Sequence, residues 1–323
     1  MAGSSTALFS EPEAFEAAWQ DAGGLRLYVT HAGRFRAKLT RVALGAVRLA
    51  AVHESQARVS VLAIPADTLL VTLPAGRSPA PIWGGIANRP GEIMTHGPAG
   101  RLLARTTGPC RWGAIWIPTS DLVRYADALV GKGMTVPPGS RIWRPRAAAL
   151  RTLHTLHGAA IRTAENQPDA LAQAQAAHGL LQQLAHALVE CLSGERAAEE
   201  APSLRRRRDI ALRFEALLHR QPDGVHTQAG VSAALGVSRR DLGAACREQL
   251  GVGPAGFIRL HRMHQARLAL RGGDSGGMGV AGIARRHGFH DSGRFARLYR
   301  ELFGELPSAT LRRWSRQSEG GIR

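Results

Sequence analysis

Two stretches near the end of this chain follow one framework. "LGVSRRDLGAACREQLGVGP" (residues 235–254) and "HGFHDSGRFARLYRELFGELP" (residues 287–307) align downstream of their turns at an offset of 53. The offset pairs Leu242 with Phe295, Ala245 with Leu298, Cys246 with Tyr299, Leu250 with Phe303, Gly251 with Gly304 and Pro254 with Pro307. A repeat restricts the fold, because what one copy forms the other must form, and each needs a partner for its apolar stripe. With Phe295 at the origin of a helical wheel, Leu298, Tyr299, Leu302 and Phe303 fall on one side. Gly293, Arg297 and Arg300 stand opposite, flanked by Arg294.

Before each copy lies a short helical segment, "QAGVSAAL" or "VAGIARRH", with Ser232 or Ala284 four residues ahead of Gly236 or Gly288. A helix, a tight turn with glycine and a second amphipathic helix make a helix-turn-helix, where a small residue lets the helices cross closely. Ser238 and Asp291 carry side-chain oxygens suited to cap the second helices. Between the units, Pro254 to Arg271 predicts an 18-residue helix, roughly 27 Å long at about 1.5 Å per residue. That length suits two reading helices near the roughly 34 Å spacing of successive major grooves.

Charge points the same way. The chain has 323 residues, a net charge of +17 and a pI near 11.4, which favours an acidic partner. From Arg205 onward there are 22 arginines and 10 acidic residues, so this segment carries +12 and residues 1–204 the remaining +5. Cys110, Cys191 and Cys246 stand apart and odd in number, which suits a reducing compartment and opposes a disulfide frame. The start lacks the basic and apolar regions of a secretory signal. The apolar run at 59–73 is broken by Pro65 and Asp67, so neither export nor a membrane partner is expected and the location expected is cytoplasmic.

Upstream, short apolar runs such as "TLLVTLPAG" and "GAIWIP" recur between about Leu25 and Pro118, cut by Gly and Pro, and predict antiparallel strands in a barrel or sandwich. Helical signals begin at Thr119. Residues 168–192 carry a heptad stripe of Leu171, Ala174, His178, Leu181, Ala185, Leu188 and Leu192. It suits either pairing of two subunits or cover for the strands. The polar "SGERAAEEAPSLRRRR" reads as a linker.

The fold class expected is therefore α+β in two domains. Residues 1–200 form strands of a barrel or sandwich with a helical extension; 201–208 are linker; 209–323 form an all-α domain of two helix-turn-helix units joined by a helix.

The ordered set Gly236, Ser238, Leu242, Gly251, Pro254, Phe257, Arg262, Ala266, Leu270, Ile283, Ala284, Gly288, Phe289, Phe295, Phe303, Gly304 and Pro307 resembles the DNA-binding domain of the AraC/XylS family of bacterial transcription regulators. The resemblance spans about Asp209 to Trp314. Ser232, Cys246, Tyr299 and Thr310 depart from it at packing positions. It implies a regulator of transcription that binds double-stranded DNA, with RNA polymerase as a further partner, a cupin-like β-barrel with a helical extension over residues 1–200 that senses a small-molecule effector, and a homodimer. Enzymatic activity and cofactors are not implied.

Carried onto matching positions, the resemblance has the first reading helix present Arg239, Arg240, Gly243, Ala244 and Arg247 to DNA, and the second Ser292, Gly293, Arg294, Arg297 and Arg300. An arginine fork matches guanine O6 and N7. Arg240 and Arg297 are the favoured base readers, with Arg239, Arg247 and Arg300 on phosphates. The run at 205–208 either follows the DNA backbone or is solvated. Trp83, Trp112 and Trp116 either pack or line the effector pocket.

Two readings compete with regulation. "GGDSGG" at 272–277 spells the surroundings of a serine-protease nucleophile, Ser275, but between helical segments and with no matching histidine motif. A basic architectural DNA protein without ligand control is the other. The histidine pairs 154/157 and 261/264 lack companion carboxylates or cysteines, and no metal is expected.

Overall fold

The computed structural model describes residues 3–75, 79–131, 134–193, 195–197, 201–221, 227–272 and 278–320. The chain opens with β1 (Gly3–Phe9) and α1 (Pro12–Ala17), then runs through β2 (Leu25–Val29), β3 (Ala37–Leu44), β4 (Val47–Glu54), β5 (Arg58–Ala63) and β6 (Thr68–Pro74). Short strands β7 (Ile82–Trp83), β8 (Ile86–Ala87), β9 (Ile93–His96) and β10 (Arg101–Arg105) lead to the long β11 (Cys110–Pro118). Then come α2 (Thr119–Val130), β12 (Ser140–Arg144), α3 (Ala147–Asn166), α4 (Ala174–Leu192) and β13 (Glu195–Ala197). Helices follow: α5 (Pro202–Arg220), α6 (Gln228–Leu235), α7 (Arg239–Leu250), α8 (Pro254–Arg271), α9 (Val280–Arg286), α10 (Ser292–Phe303) and α11 (Pro307–Gly320).

The expected strand region is present, but it pairs as two antiparallel sheets, and the described residues show no closed ring. One sheet has the order β1-β3-β4-β11-β6-β9-β12-β13 and the other β2-β5-β10-β7-β8. Alternation along β11 explains the stacking. Trp112, Ala114 and Trp116 face the core shared by the sheets, while Ile115 and Ile117 face helices α2 to α4. The smaller sheet is likewise covered twice: Leu27, Leu62 and Leu102 point to the larger sheet. Tyr28, Val59, Val61 and Leu103 pack against Phe214, Leu242 and Phe257 of the C-terminal helices. Because both faces are covered, burial does not alternate along "RVSVLA", whose polar Arg58 and Ser60 are as buried as Val59 and Val61.

Three expectations change. Residues 202–208, read as linker, are the first turns of α5. Arg205, Arg206 and Arg207 remain exposed, with Arg206 3.7 Å from Asp241 and Arg207 2.7 Å from Glu248 on α7. Second, 168–192 is a 3-10 turn followed by α4 rather than one helix. Of its stripe, Leu171, Ala185, Leu188 and Leu192 are buried with α2, α3 and the larger sheet and Leu181 is half-buried against them, while Ala174 and His178 are exposed. Third, β1 and α1, which the sequence reading passed over, both pack onto the sheets, and no helix among the described residues is long and apolar enough to cross a membrane.

The C-terminal helices and the sheets share polar contacts as well as core. Glu215 of α5 has no exposed side chain; it accepts hydrogen bonds from Arg26 (2.6 and 2.7 Å), Tyr28 (2.9 Å) and Arg101 (2.7 Å). Burial raises its affinity for a proton, but Arg26, Tyr28 and Arg101 overcome this and hold the carboxyl below its ordinary range. Arg267 of α8 is also buried, bonded to Glu13 (2.8 Å), Glu305 (2.9 Å), Tyr299 (3.2 Å) and Glu11. Arg271 pairs with Glu13 and lies over the Trp314 ring at 4.2 Å.

Two outcomes follow for stability. Leu188 is 2% exposed, so Leu188→Ala should cost about 2 to 5 kcal/mol in urea unfolding, with sedimentation unchanged at concentrations where the variant stays folded. Glu16 of α1 accepts from the Leu27 N–H, and burial lifts its pKa from 4.5 to about 7 against the pull of that bond and of Arg26. The folded chain thus holds this proton more tightly than the unfolded one. Its stabilising contribution is full below about pH 4.5 and fades as pH rises through about 7. Between pH 5 and 8 the wild-type chain should lose stability relative to Glu16→Gln, measured by urea midpoints at both values.

Candidate nucleic-acid interface

The duplicated framework folds as two helix pairs, α6–α7 and α9–α10, carried on the two ends of α8. Ser238 Oγ accepts from the Asp241 N–H at 3.0 Å and Asp291 Oδ1 from the Arg294 N–H at 2.9 Å, so each second helix starts on the cap expected. Ser232 and Ala284 are buried where the helices cross. At the far ends, α7 closes on Gly251 with φ 74° and α10 on Gly304 with φ 72°, a left-handed cap that costs glycine nothing. Phe295, Tyr299 and Phe303 are buried beside Met263, Ala266 and Leu270 of α8, while Leu242, Cys246 and Leu250 join Phe257.

This packing leaves a defined face. Arg239, Arg240 and Arg247 on α7, and Ser292, Gly293, Arg294, Arg297 and Arg300 on α10, are exposed. Arg297 has only a loose 4.0 Å approach to Glu301. Two expected positions sit differently. Gly243 is buried, because the Arg247 guanidinium folds back over it, with Nη1 3.3 Å from where a Cβ would stand; Ala244 is half-buried. Arg247, expected on a phosphate, is exposed, and its position one turn after a glycine lets it lie along its own helix.

The strand domain touches both helices at the same point of the repeat. Arg105 donates from Nε to the Glu248 carbonyl at 3.2 Å, and its Cδ is 3.6 Å from the Cβ position of Gly251. At Gly304 the corresponding neighbours are Arg34 Cγ at 3.0 Å and the Gly33 carbonyl at 3.1 Å. The contact at α7 continues through Gln249, which donates to the Gly84 carbonyl at 3.1 Å. His264 of α8, fully buried and pushed down to about 3 by burial, is neutral and donates to the Val29 carbonyl at 3.3 Å. None of these contacts was legible in the sequence, since their partners lie between 143 and 271 residues away.

The remaining candidates separate. Trp83, Trp112 and Trp116 sit in the core between the sheets with 3 to 4% exposure, joined by Trp19, which stacks on Trp112 at 5.8 Å. Ser275 and its neighbours 273–277 lie outside the described residues. Among the described residues no cluster of three potential metal ligands occurs. His157 instead bonds the Ala50 carbonyl.

Residues 231–313 match the family described as a helix-turn-helix domain. The chain is 41% identical over 86 residues to a probable thc operon regulatory protein of Rhodococcus erythropolis, covering 27% of this chain and 26% of that protein. It is 38% identical over 77 residues to a XylDLEGF operon transcriptional activator 1 of Pseudomonas putida, covering 24% and 23%. The chain thus spans about a quarter of the length of the curated relatives it matches. Among solved structures, the AraC-like transcriptional activator CuxR aligns over 82% of this chain and 96% of its own, at 17% identity and a TM-score of 0.42. A probable AraC family regulator from Rhodopseudomonas palustris aligns over 32% and 96%, at 31% identity and a TM-score of 0.30.

The cap geometry sets an ordering of stabilities. Gly251→Ala should cost about 1 to 2 kcal/mol for left-handed backbone alone. Gly304→Ala should cost more, because its new methyl also meets Arg34 and the Gly33 carbonyl; urea unfolding of the two variants side by side checks this.

Proposed function

We propose that this chain, whose residues 231–313 form an AraC/XylS-type helix-turn-helix domain, is a sequence-specific regulator of transcription that inserts α7 and α10 into adjacent major grooves of double-stranded DNA. The observation that carries the reading is the exposed arginine set, Arg239, Arg240, Arg247, Arg294, Arg297 and Arg300, on two helices with equivalent caps. Arginines unengaged in strong ion pairs and held on rigid helices suit both base edges and phosphates. Arg240 and Arg297 read bases; Arg239, Arg247 and Arg300 hold phosphates. Ser292, Gly293 and Arg294 lie at the start of α10, where a helix meets the groove floor, while Gly243 acts by letting Arg247 lie close.

The strand half, residues 1–200, serves as the sensor of a small-molecule effector. RNA polymerase is the partner through which bound regulator acts. Two copies pair as a homodimer. A soluble DNA reader of this kind works in the cytoplasm.

Footprinting of the full chain on its own upstream region at physiological salt tests the reading. A protected site is expected, and uniform coverage would leave only a non-specific basic protein. On that site, Arg240→Ala and Arg297→Ala should each cost about 1 to 3 kcal/mol and relax preference at one base pair. Arg300→Ala should weaken all sequences alike and flatten the salt slope by about one unit.

A further inference from the structure

The two reading helices leave the arginine run at 205–208 without a role. Its helix, α5, lies against α7, and Arg206 and Arg207 approach Asp241 at 3.7 Å and Glu248 at 2.7 Å with side chains 72% and 47% exposed. Exposed ion pairs add little to the stability of a fold. Where these pairs stand is more telling. Arg240, Ala244 and Arg247 lie along the outward face of α7, and Asp241 and Glu248 run down the adjoining flank, about a quarter turn away. A helix seated in a major groove has sugar-phosphate backbone beside its flanks, so two carboxylates there would meet like charge. α5 lays a guanidinium beside each.

The repeat supplies an independent comparison. Its offset of 53 sets Asp241 against Arg294 and Glu248 against Glu301. The caps agree with that alignment: the Asp241 N–H donates to Ser238 and the Arg294 N–H to Asp291, so both residues occupy the same place in the first turn. At that place the second reading helix carries an arginine of its own. The first carries an acid, and the arginine beside it comes from α5.

We propose that α5 is a third DNA-contacting element, in which Arg206, supported by Arg207, holds a backbone phosphate and brings to the flank of α7 the positive charge that Arg294 gives to the flank of α10. The proposal rests on the insertion of α7 into a major groove given above, and it extends the contact surface upstream of the matched residues 231–313. Asp241 and Glu248 are positioning residues that hold the guanidiniums at the flank before DNA arrives. A guanidinium has five N–H donors, so it can keep its carboxylate while donating to a phosphate oxygen.

Anisotropy titrations of the full chain over a series of salt concentrations, on the footprinted site and on a mixed-sequence duplex, test this. A phosphate contact carries no sequence. Arg206→Gln should therefore weaken both duplexes alike, about fivefold at physiological salt, and flatten the salt slope by about one unit. Arg206→Lys, which keeps the charge, should keep the slope. Arg220→Gln removes the same charge from the exposed far end of α5 and should leave the slope unchanged. Asp241→Asn separates contact from shielding. If Arg206 only neutralised Asp241, its loss would cost nothing in the Asp241→Asn background, whereas the proposal expects the slope still to flatten by about one unit. An unchanged slope in Arg206→Gln, an equal flattening in Arg220→Gln, or a loss that vanishes in the Asp241→Asn background overturns the proposal. A wild-type chain that binds neither duplex overturns this and the regulator reading together. Flattening on the mixed-sequence duplex without any footprint supports the phosphate contact and removes sequence-specific regulation alone.

Discussion

A carboxylate with no exposed surface must find its charge balance inside the protein. Glu215 finds it in Arg26, Tyr28 and Arg101, which belong to two strands of the smaller sheet, while Glu215 itself belongs to α5. Removing one side of such a group leaves the other as an uncompensated buried charge, at a cost of about 3 to 5 kcal/mol. The strand half and the helical half are therefore held in one arrangement by electrostatics as well as by the apolar layer of Val59, Val61, Phe214 and Phe257. A second cluster, built on Arg267 with Glu11, Glu13 and Glu305, fixes the other helix pair in the same way.

Local features were readable from sequence and distant ones were not. Caps Ser238 and Asp291, the glycines at 251 and 304, the span of α8 and the buried faces of α7 and α10 all depend on residues within a turn or two, so spacing reveals them. Glu11, Glu13 and Glu16 carry no local signal of their roles, because their partners, Arg267, Arg271 and the Leu27 N–H, lie on other elements. At 201–208, where the sequence leaves the arginines either following the DNA backbone or solvated, Arg206 and Arg207 are exposed on the first turns of a helix and pair across the surface with Asp241 and Glu248. In α4 the period showed a face to be buried, but a period carries no record of whether a second subunit or a sheet covers it.

The exposed face was partly legible for the same reason. Wheel geometry put Arg294, Arg297 and Arg300 opposite Phe295, Tyr299 and Phe303, and packing keeps them there. Gly243 is the exception, since its cover comes from the long side chain of Arg247, whose direction no wheel represents. The tryptophans divided similarly. Trp112 could be placed in the core from strand alternation, whereas its neighbour Trp19 follows a short helix with no alternation to read.

α1 joins features that otherwise look separate. Its N-terminal end offers Glu11 and Glu13 to α8, and the Ala18 and Asp21 carbonyls after its C-terminal end accept from Arg41 and Arg48 of β3 and β4. The caps at Gly251 and Gly304 extend the same economy to the helix pairs, for each rests on an arginine of one strand-built body. With both ends seated on a common anvil, the angular phase between α7 and α10 is set by protein rather than by whatever duplex they meet. One added base pair turns B-form DNA by about a tenth of its helical repeat of 10 to 10.5 base pairs. If α7 and α10 enter adjacent grooves as proposed, such a spacer must bend or twist or one groove must be given up, so spacer length becomes part of the address.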